Sequence, residues 1–146
     1  EPLHFEGELC FVYQDGKFSA VGFGLDLTKR SLQSQLKAKG LPWERAKAFD
    51  GSAVFSDFVE IETIDDTLSL ELMINNDIAQ QGGVSLMMYK PLDILNELQR
   101  FMTLENGDIV MTGTPKGVGE IKQGAVFTGR VLVNNQEICK SSWIAK

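Results

Sequence analysis

The sequence predicts a β-rich α+β domain, in which a rolled, barrel-like sheet carries a few short helices. Predicted strands outnumber predicted helices, and the helices do not alternate with strands as they would in a parallel α/β sheet. Hairpin turn signals separate several strands, notably Asp15-Gly16 and Asn134-Asn135. Because the 146 residues contain no repeat and no Pro/Gly/Ser-rich linker, we expect residues 1–146 to form one domain.

The first half of the chain is predicted to form a hairpin, a helix and two further strands. The predicted strands are 9–13, 18–27, 57–62 and 67–74. The last of these alternates leucine or isoleucine with other residues, which is typical of a half-buried strand. A helix is expected over 29–39, with Thr28 as its N-cap and Gly40 directly after it. Its apolar stripe is thin, so we expect this helix to lie on the surface.

The second half is predicted to contain one helix, one strand and a closing hairpin. Pro91 suits the first turn of a helix over 91–102. Its apolar residues are expected to face inward, and they are Ile94, Leu95, Leu98, Phe101 and Met102. The predicted strands are 109–112, 126–133 and 137–144. The last two are expected to pair around Asn134-Asn135.

Composition narrows the class of function. A net charge of −6 and a pI near 4.8 argue against a nucleic acid as partner, and no apolar run approaches the roughly 20 residues of a membrane span. The two cysteines, Cys10 and Cys139, lie far apart and predict reduced thiols in a cytoplasmic protein. With His4 as the single histidine, a metal site would depend on oxygen ligands, which favours Mg²⁺, Mn²⁺ or Ca²⁺.

Three carboxylates are candidates for such a site. Glu6 and Glu8 are two residues apart at the start of the first strand, so they share one strand face. Taken alone, this pair is also typical of an exposed acidic edge. Asp26 ends the returning strand, and hairpin pairing would bring it close to Glu8 and complete three oxygen ligands. The alternative for Asp26 is a helix cap, a position that Thr28 can already fill.

Cationic and amide side chains follow the third carboxylate. Arg30 and Gln33 lie four and seven residues after Asp26, so an early helix start would place all three on one face. A guanidinium suits a substrate carboxylate, and an amide can orient a carbonyl or a water molecule. A solvated helix face explains the same spacing. Lys47 lies among aromatic residues, where its ammonium either binds an anion or extends along the rings.

The segment Thr112–Gly119 is glycine-rich and follows a predicted strand. Such a loop can offer backbone N–H groups and hydroxyls, including that of Thr114, to an anion or an enolate. The order of residues that defines a P-loop is absent. A tight turn that only closes the sheet is the alternative, and the residues alone leave the choice open.

Taken together, these motifs resemble the fumarylacetoacetate hydrolase family, in particular its acylpyruvase and fumarylpyruvate hydrolase branch. The resemblance extends through nearly the whole chain. It rests on 4–9, 24–30 with Gln33, 40–50, Gln80 with Met87, Leu104 with 107–108, and 112–119.

The resemblance implies roles for individual residues. It implies Glu6, Glu8 and Asp26 as ligands of Mg²⁺ or Mn²⁺. The residues implied to bind substrate are Arg30, Lys47 and Thr114, and those implied to act in catalysis are Lys47, Gln33 and Thr114. The resemblance also implies a homodimer and a small oxo-acid substrate.

The expected activity is hydrolysis of a C–C bond in an acylpyruvate-like β-diketo acid. An oxaloacetate decarboxylase or tautomerase on the same metal site, or an inactive family member, is the alternative. Family members normally carry a water-activating His–Glu pair upstream, and the sequence from Glu1 onward contains no match to it. Enolisation and decarboxylation would depend less on that pair than hydrolysis would.

Overall fold

Eleven β-strands and two α-helices make up the computed structural model, which describes residues 1–146. The helices are α1 (Arg30–Ala38) and α2 (Pro91–Phe101), and 3-10 turns occur at Glu44–Ala46 and Val84–Leu86. The strands are β1 (His4–Phe5), β2 (Gly7–Gln14), β3 (Lys17–Asp26), β4 (Ala53–Phe55), β5 (Val59–Glu60), β6 (Leu68–Ile74), β7 (Asp77–Gly83), β8 (Ile109–Met111), β9 (Gly119–Glu120), β10 (Val126–Val133) and β11 (Gln136–Ile144). Neither helix is long and apolar enough to cross a membrane.

The strands form two main antiparallel sheets. One has the order β4-β3-β2-β8, with β5 also paired to β3, and the other has the order β11-β10-β6-β7. A small third sheet pairs β1 with β9. The curled sheets and the small share of helix confirm the predicted β-rich, rolled α+β class.

The core lies between the two main sheets, with Phe23 near its centre. Phe23 is fully buried, and its ring packs 6.1 Å from that of Trp143. Gly129 on β10 leaves the space that the Phe23 ring fills, because a Cβ on Gly129 would lie only 2.2 Å from that ring. The two sheets can therefore pack closely at this point, because the large Phe23 side chain of one sheet lies against Gly129, which has no side chain, in the other.

The hairpin of β2 and β3 determines where the candidate site forms. Its turn places Asp15 and Gly16 at φ 51° and 85°, the left-handed conformations that a tight hairpin favours. Pairing then sets Glu8 opposite Gly24, and the Asp26 N–H donates to the Glu6 carbonyl at 2.8 Å. The start of β2 and the end of β3 thus lie side by side, as the hairpin prediction required.

Several predicted elements differ from the structure. The predicted strand 57–62 is reduced to β5, and the sequence analysis missed β7, whose two glutamines and two glycines give no strand pattern. Leu95 on α2 is buried, but Phe101 at its last position is 66% exposed and Met102, just after the helix, is 48% exposed. The predicted inward face of the helix over 91–102 is therefore wrong at its end.

The predicted N-cap of α1 is also wrong. Lys29 occupies that position and makes no side-chain cap, whereas Thr28 is fully buried in a bridge to His4. The helix does lie on the surface as expected, and its one buried residue is Gln33.

Candidate metal centre

The three predicted carboxylates meet at the end of the β2–β3 hairpin. One carboxylate oxygen from each of Glu6, Glu8 and Asp26 lies within 4.8 Å of the others. Glu6 and Glu8 are buried, and Asp26 is half-buried. Such a cluster of like charges is unfavourable unless cations compensate it.

The donor set fits a hard divalent cation. Around an octahedral ion with bonds of about 2.1 Å, adjacent ligand atoms lie about 3.0 Å apart and opposite ones about 4.2 Å apart. From separations of up to 4.8 Å the carboxylate oxygens must therefore close by at most about 2 Å, which rotation of the side chains can supply. All three donors are carboxylate oxygens, and no histidine or cysteine belongs to the group. This chemistry suits Mg²⁺ or Mn²⁺ better than zinc.

Two basic side chains contact the carboxylates directly. The Lys47 ammonium lies 2.8 Å from Glu6 Oε2, 2.7 Å from Asp26 Oδ2 and 2.7 Å from the Thr28 hydroxyl. Arg30 donates from Nη2 to Glu6 Oε1, and from Nη1 to the Gln33 side-chain oxygen at 2.9 Å. The three polar residues predicted for this region, Arg30, Gln33 and Lys47, therefore belong to one cluster with Glu6 and Asp26.

Glu8 is held by the glycine-rich loop. The Gly113 N–H donates to Glu8 Oε2 at 2.8 Å, and Gly113 has a φ of +100°. The Thr114 hydroxyl does not reach the carboxylates, because it donates to the Gly7 carbonyl at 2.9 Å. The loop thus touches the cluster through the Gly113 N–H, and the Thr114 hydroxyl fixes Gly7, which lies between Glu6 and Glu8 at the start of β2.

Gln80 is a site residue to which the sequence analysis gave no role. It is almost fully buried, and its side-chain oxygen accepts the Gly7 N–H at 2.8 Å. Its amide nitrogen donates to the Thr114 hydroxyl at 2.8 Å and to the Pro115 carbonyl at 2.9 Å. No local signal could have found this link, because Gly7 and Gln80 lie 73 residues apart and belong to different sheets.

A family model decides the identification. The model for the C-terminal part of fumarylacetoacetate hydrolase matches residues 19–142, which is most of the chain. The chain belongs to the fumarylacetoacetate hydrolase family.

Curated relatives in this family carry oxaloacetate tautomerase names. The mitochondrial oxaloacetate tautomerase FAHD1 of Bos taurus is 46% identical over 68% of this chain and 46% of its own length. The oxaloacetate tautomerase YcgM of Escherichia coli is 40% identical over 73% of this chain and 50% of its own length. The chain therefore spans about half the length of these relatives.

Solved structures of the family share the fold. Yeast ynq8, a fumarylacetoacetate hydrolase family protein, matches with a TM-score of 0.90 at 31% identity, over 99% of this chain and 67% of its own. The fumarylpyruvate hydrolase of Pseudomonas aeruginosa, solved with Mn²⁺ and pyruvate, matches with a TM-score of 0.85 at 26% identity, over the same shares of each chain.

The electrostatic environment differs among the three carboxylates. Burial, with smaller contributions from Asp26 and Glu6, raises the pKa of Glu8 to about 7 despite the Gly113 hydrogen bond. Burial also raises the pKa of Asp26, against the effect of Lys47. For Glu6, burial acts in the same direction, but Lys47 and Arg30 together outweigh it and lower the pKa. Glu8 is thus the carboxylate whose charge is least compensated by the protein.

We predict that the metal-free chain loses stability as pH rises, and that Glu8→Gln removes most of this loss. The folded chain keeps a proton on Glu8 up to about pH 7, whereas the unfolded chain releases it near the ordinary carboxyl pKa of 4.5. The free energy of unfolding should therefore fall as pH rises through this window, by up to about 3 kcal/mol. Urea unfolding with a chelator at several pH values would measure it. Identical pH profiles for the wild-type chain and the variant would contradict the assignment.

A second prediction concerns the backbone contact to Glu8. Gly113 and Gly107 both have positive φ, 100° and 92°, and a Cβ at either would meet no atom within 4 Å. Gly113→Ala and Gly107→Ala should therefore cost similar backbone strain, about 1 kcal/mol. Only Gly113→Ala should weaken Mn²⁺ binding, by about tenfold, because it shifts the N–H that holds Glu8. Equal Mn²⁺ affinities in the two variants, measured by calorimetry, would show that the Gly113 N–H does not contribute to metal binding.

Proposed function

We propose that this chain carries the metal-binding core of a Mg²⁺- or Mn²⁺-dependent enzyme that enolises small 2-oxo acids, with oxaloacetate tautomerisation as its reaction. The observation that carries the proposal is the carboxylate trio of Glu6, Glu8 and Asp26, with Arg30 and Lys47 directly beside it. Relatives named oxaloacetate tautomerase, at 40–46% identity, support the choice of reaction.

In this proposal Glu6, Glu8 and Asp26 hold the metal, which would polarise the 2-oxo carbonyl and stabilise the enolate. Arg30 is 31% exposed at its side chain and offers five N–H donors, of which the contacts to Glu6 and Gln33 use only part. Its free donors suit the carboxylate of an oxo acid. Gln33 orients the guanidinium through its side-chain oxygen.

Lys47 acts as a hydrogen-bond donor in the proposed reaction. Burial alone would lower its pKa, but Asp26 and Glu6 outweigh burial and raise it, so the ammonium keeps its proton. In the metal-free structure all three N–H donors of Nζ are used, on Glu6, Asp26 and Thr28. When the metal takes over one of these carboxylates, the freed N–H can donate to the oxygen on which negative charge develops. The Thr114 hydroxyl is engaged with Gly7, so we propose that Thr114 contributes to substrate binding through its backbone N–H.

Tautomerisation demands less of the site than hydrolysis does. It moves one proton between a carbon and the neighbouring carbonyl oxygen, and it consumes no water. Both reactions need a proton acceptor, which for tautomerisation only has to take the proton from carbon. Hydrolysis of an acylpyruvate must in addition position and activate a water molecule at a carbonyl carbon. C–C bond hydrolysis remains the second candidate, supported by the similarity to the fumarylpyruvate hydrolase solved with Mn²⁺ and pyruvate.

The proposal is tested by assaying oxaloacetate, acetylpyruvate and fumarylpyruvate side by side with Mg²⁺ and with Mn²⁺. We expect metal-dependent enol–keto conversion of oxaloacetate to be the fastest reaction. Faster cleavage of an acylpyruvate would establish the hydrolase instead. Metal binding without turnover of any of the three would identify an inactive family member.

A homodimer and a cytoplasmic location remain proposals. The surface formed by the turn after β7 and by α2 exposes several large apolar side chains, a pattern typical of an interface. They are Leu86, Met88, Tyr89, Leu92 and Phe101. Part of this surface lines a cavity of about 590 Å³, which also borders residues 112–115 of the glycine-rich loop. Sedimentation of the chain at several concentrations would test self-association.

A further inference from the structure

The Lys47 ammonium uses all of its donors at the candidate metal centre. Its three contacts, to Glu6, Asp26 and the Thr28 hydroxyl, all fall between 2.7 and 2.8 Å. Thr28 is fully buried, and the Lys47 side chain is only 22% exposed. An ammonium has three N–H donors, so this one is fully satisfied by two of the carboxylates and by a buried hydroxyl.

The oxygens that Lys47 binds belong to proposed metal ligands. Both oxygens of Glu6 already contact a cation, because Arg30 binds Oε1 and Lys47 binds Oε2. A metal ion on Glu6 must therefore share an oxygen with one of these side chains or displace it. Two cations that share one carboxylate oxygen lie only about 4 Å apart, where their repulsion is substantial at a partly buried site.

The charge balance of the cluster also indicates that Lys47 and a metal ion compete for the carboxylates. Three carboxylates face two basic side chains, Arg30 and Lys47, so the metal-free cluster has a formal charge of −1 when all groups are ionised. Without Lys47 the charge would be −2, and the attraction for a divalent cation would be stronger. Lys47 therefore stabilises the metal-free cluster more than the metal-bound one.

We infer that Lys47 is an internal counter-cation that competes with the divalent metal for Glu6 and Asp26, and so weakens metal binding while it stabilises the metal-free chain. This inference rests on the metal site of the proposed function. The two effects are linked, because a group that favours the metal-free state over the metal-bound state must lower metal affinity by the same free energy.

The test compares Mn²⁺ dissociation constants and melting temperatures for the wild-type chain, Lys47→Met, Lys47→Arg and Lys90→Met. Lys90 is a matched control, since its ammonium contacts the Val84 carbonyl and Asp66 away from the cluster. We expect Lys47→Met to bind Mn²⁺ at least about tenfold more tightly, or about 1.4 kcal/mol, and to melt at a lower temperature without metal. Mn²⁺ should therefore raise its melting temperature by more than it raises that of the wild-type chain.

The charge-preserving Lys47→Arg and the control Lys90→Met should keep Mn²⁺ affinities close to the wild-type value. If Lys47→Met does not fold without metal, Lys47→Gln takes its place, because its amide can still bridge the oxygens without a charge. Unchanged or weaker Mn²⁺ binding in a folded, uncharged variant would overturn the inference. Absence of Mn²⁺ binding in the wild-type chain would instead refute the proposed function, so the two failures are distinguishable.

Discussion

Asp26→Asn is expected to reduce kcat/KM for the oxo-acid substrate by about 10³-fold and to weaken Mn²⁺ binding strongly. The substitution keeps the shape of the side chain but removes one of the three negative charges at the cluster. It also takes from Lys47 one of its two carboxylate partners. Loss of metal-based stabilisation amounts to several kcal/mol, and about 4 kcal/mol corresponds to a thousandfold change in rate.

Asp50→Asn is the matched control for this variant. Asp50 is an exposed carboxylate shortly after Lys47 and lies outside the cluster. It should leave both kinetics and Mn²⁺ affinity unchanged. Steady-state assays and calorimetry on the two variants are sufficient, and an Asp26→Asn chain with wild-type affinity and rate would exclude Asp26 as a ligand.

Phe23→Ala is expected to lower the free energy of unfolding by about 3–5 kcal/mol, the usual cost of removing a buried aromatic ring. The Phe23 side chain is fully buried between the sheets, and its ring occupies the space that Gly129 leaves by having no side chain. The neighbouring backbone cannot close that gap without moving β10 relative to β3.

Urea unfolding of Phe23→Ala and Ile78→Ala would measure the difference. Ile78 is 57% exposed on β7, so its truncation should cost less than about 1 kcal/mol. A loss below about 1 kcal/mol in Phe23→Ala would show that the two sheets do not depend on this contact.

Local chemistry made much of the fold predictable. Asp15-Gly16 and Asn134-Asn135 adopt the positive φ values that tight hairpins favour, so the strands around them could be placed from sequence. The alternation in 67–74 survives as β6, whose leucines at 68, 70 and 72 are buried. These features depend on neighbouring residues only, and that is why they were predictable.

The errors occur where distant contacts override local preference. Asp77–Gly83 becomes a strand because β6 pairs along its full length, although its own composition disfavours a strand. Threonine is a common N-cap residue, but the backbone of Thr28 forms a β-bridge with His4 and its hydroxyl accepts a hydrogen bond from the Lys47 ammonium. Phe101 lies beyond the part of α2 that contacts the core, which helical periodicity cannot indicate.

The candidate site divides in the same way, into residues placed by local hairpin pairing and residues placed by distant contacts. Hairpin register alone brings Asp26 beside Glu6 and Glu8, so the carboxylate cluster follows from sequence. The Lys47 bridge joins residues up to 41 positions apart, and its target atoms could not be inferred from spacing. The backbone N–H of Gly113, 105 residues from Glu8, carries no side-chain signal at all.

The most direct test of the account is a crystal structure of this chain with Mn²⁺ and oxalate, an unreactive mimic of the 2-oxo carboxylate, located by anomalous scattering. We predict one Mn²⁺ bound by Glu6, Glu8 and Asp26 at about 2.1–2.2 Å, with oxalate on the same ion and Arg30 directed at its carboxylate. A manganese ion bound elsewhere, with the Lys47 ammonium still between Glu6 and Asp26, would contradict the central claim.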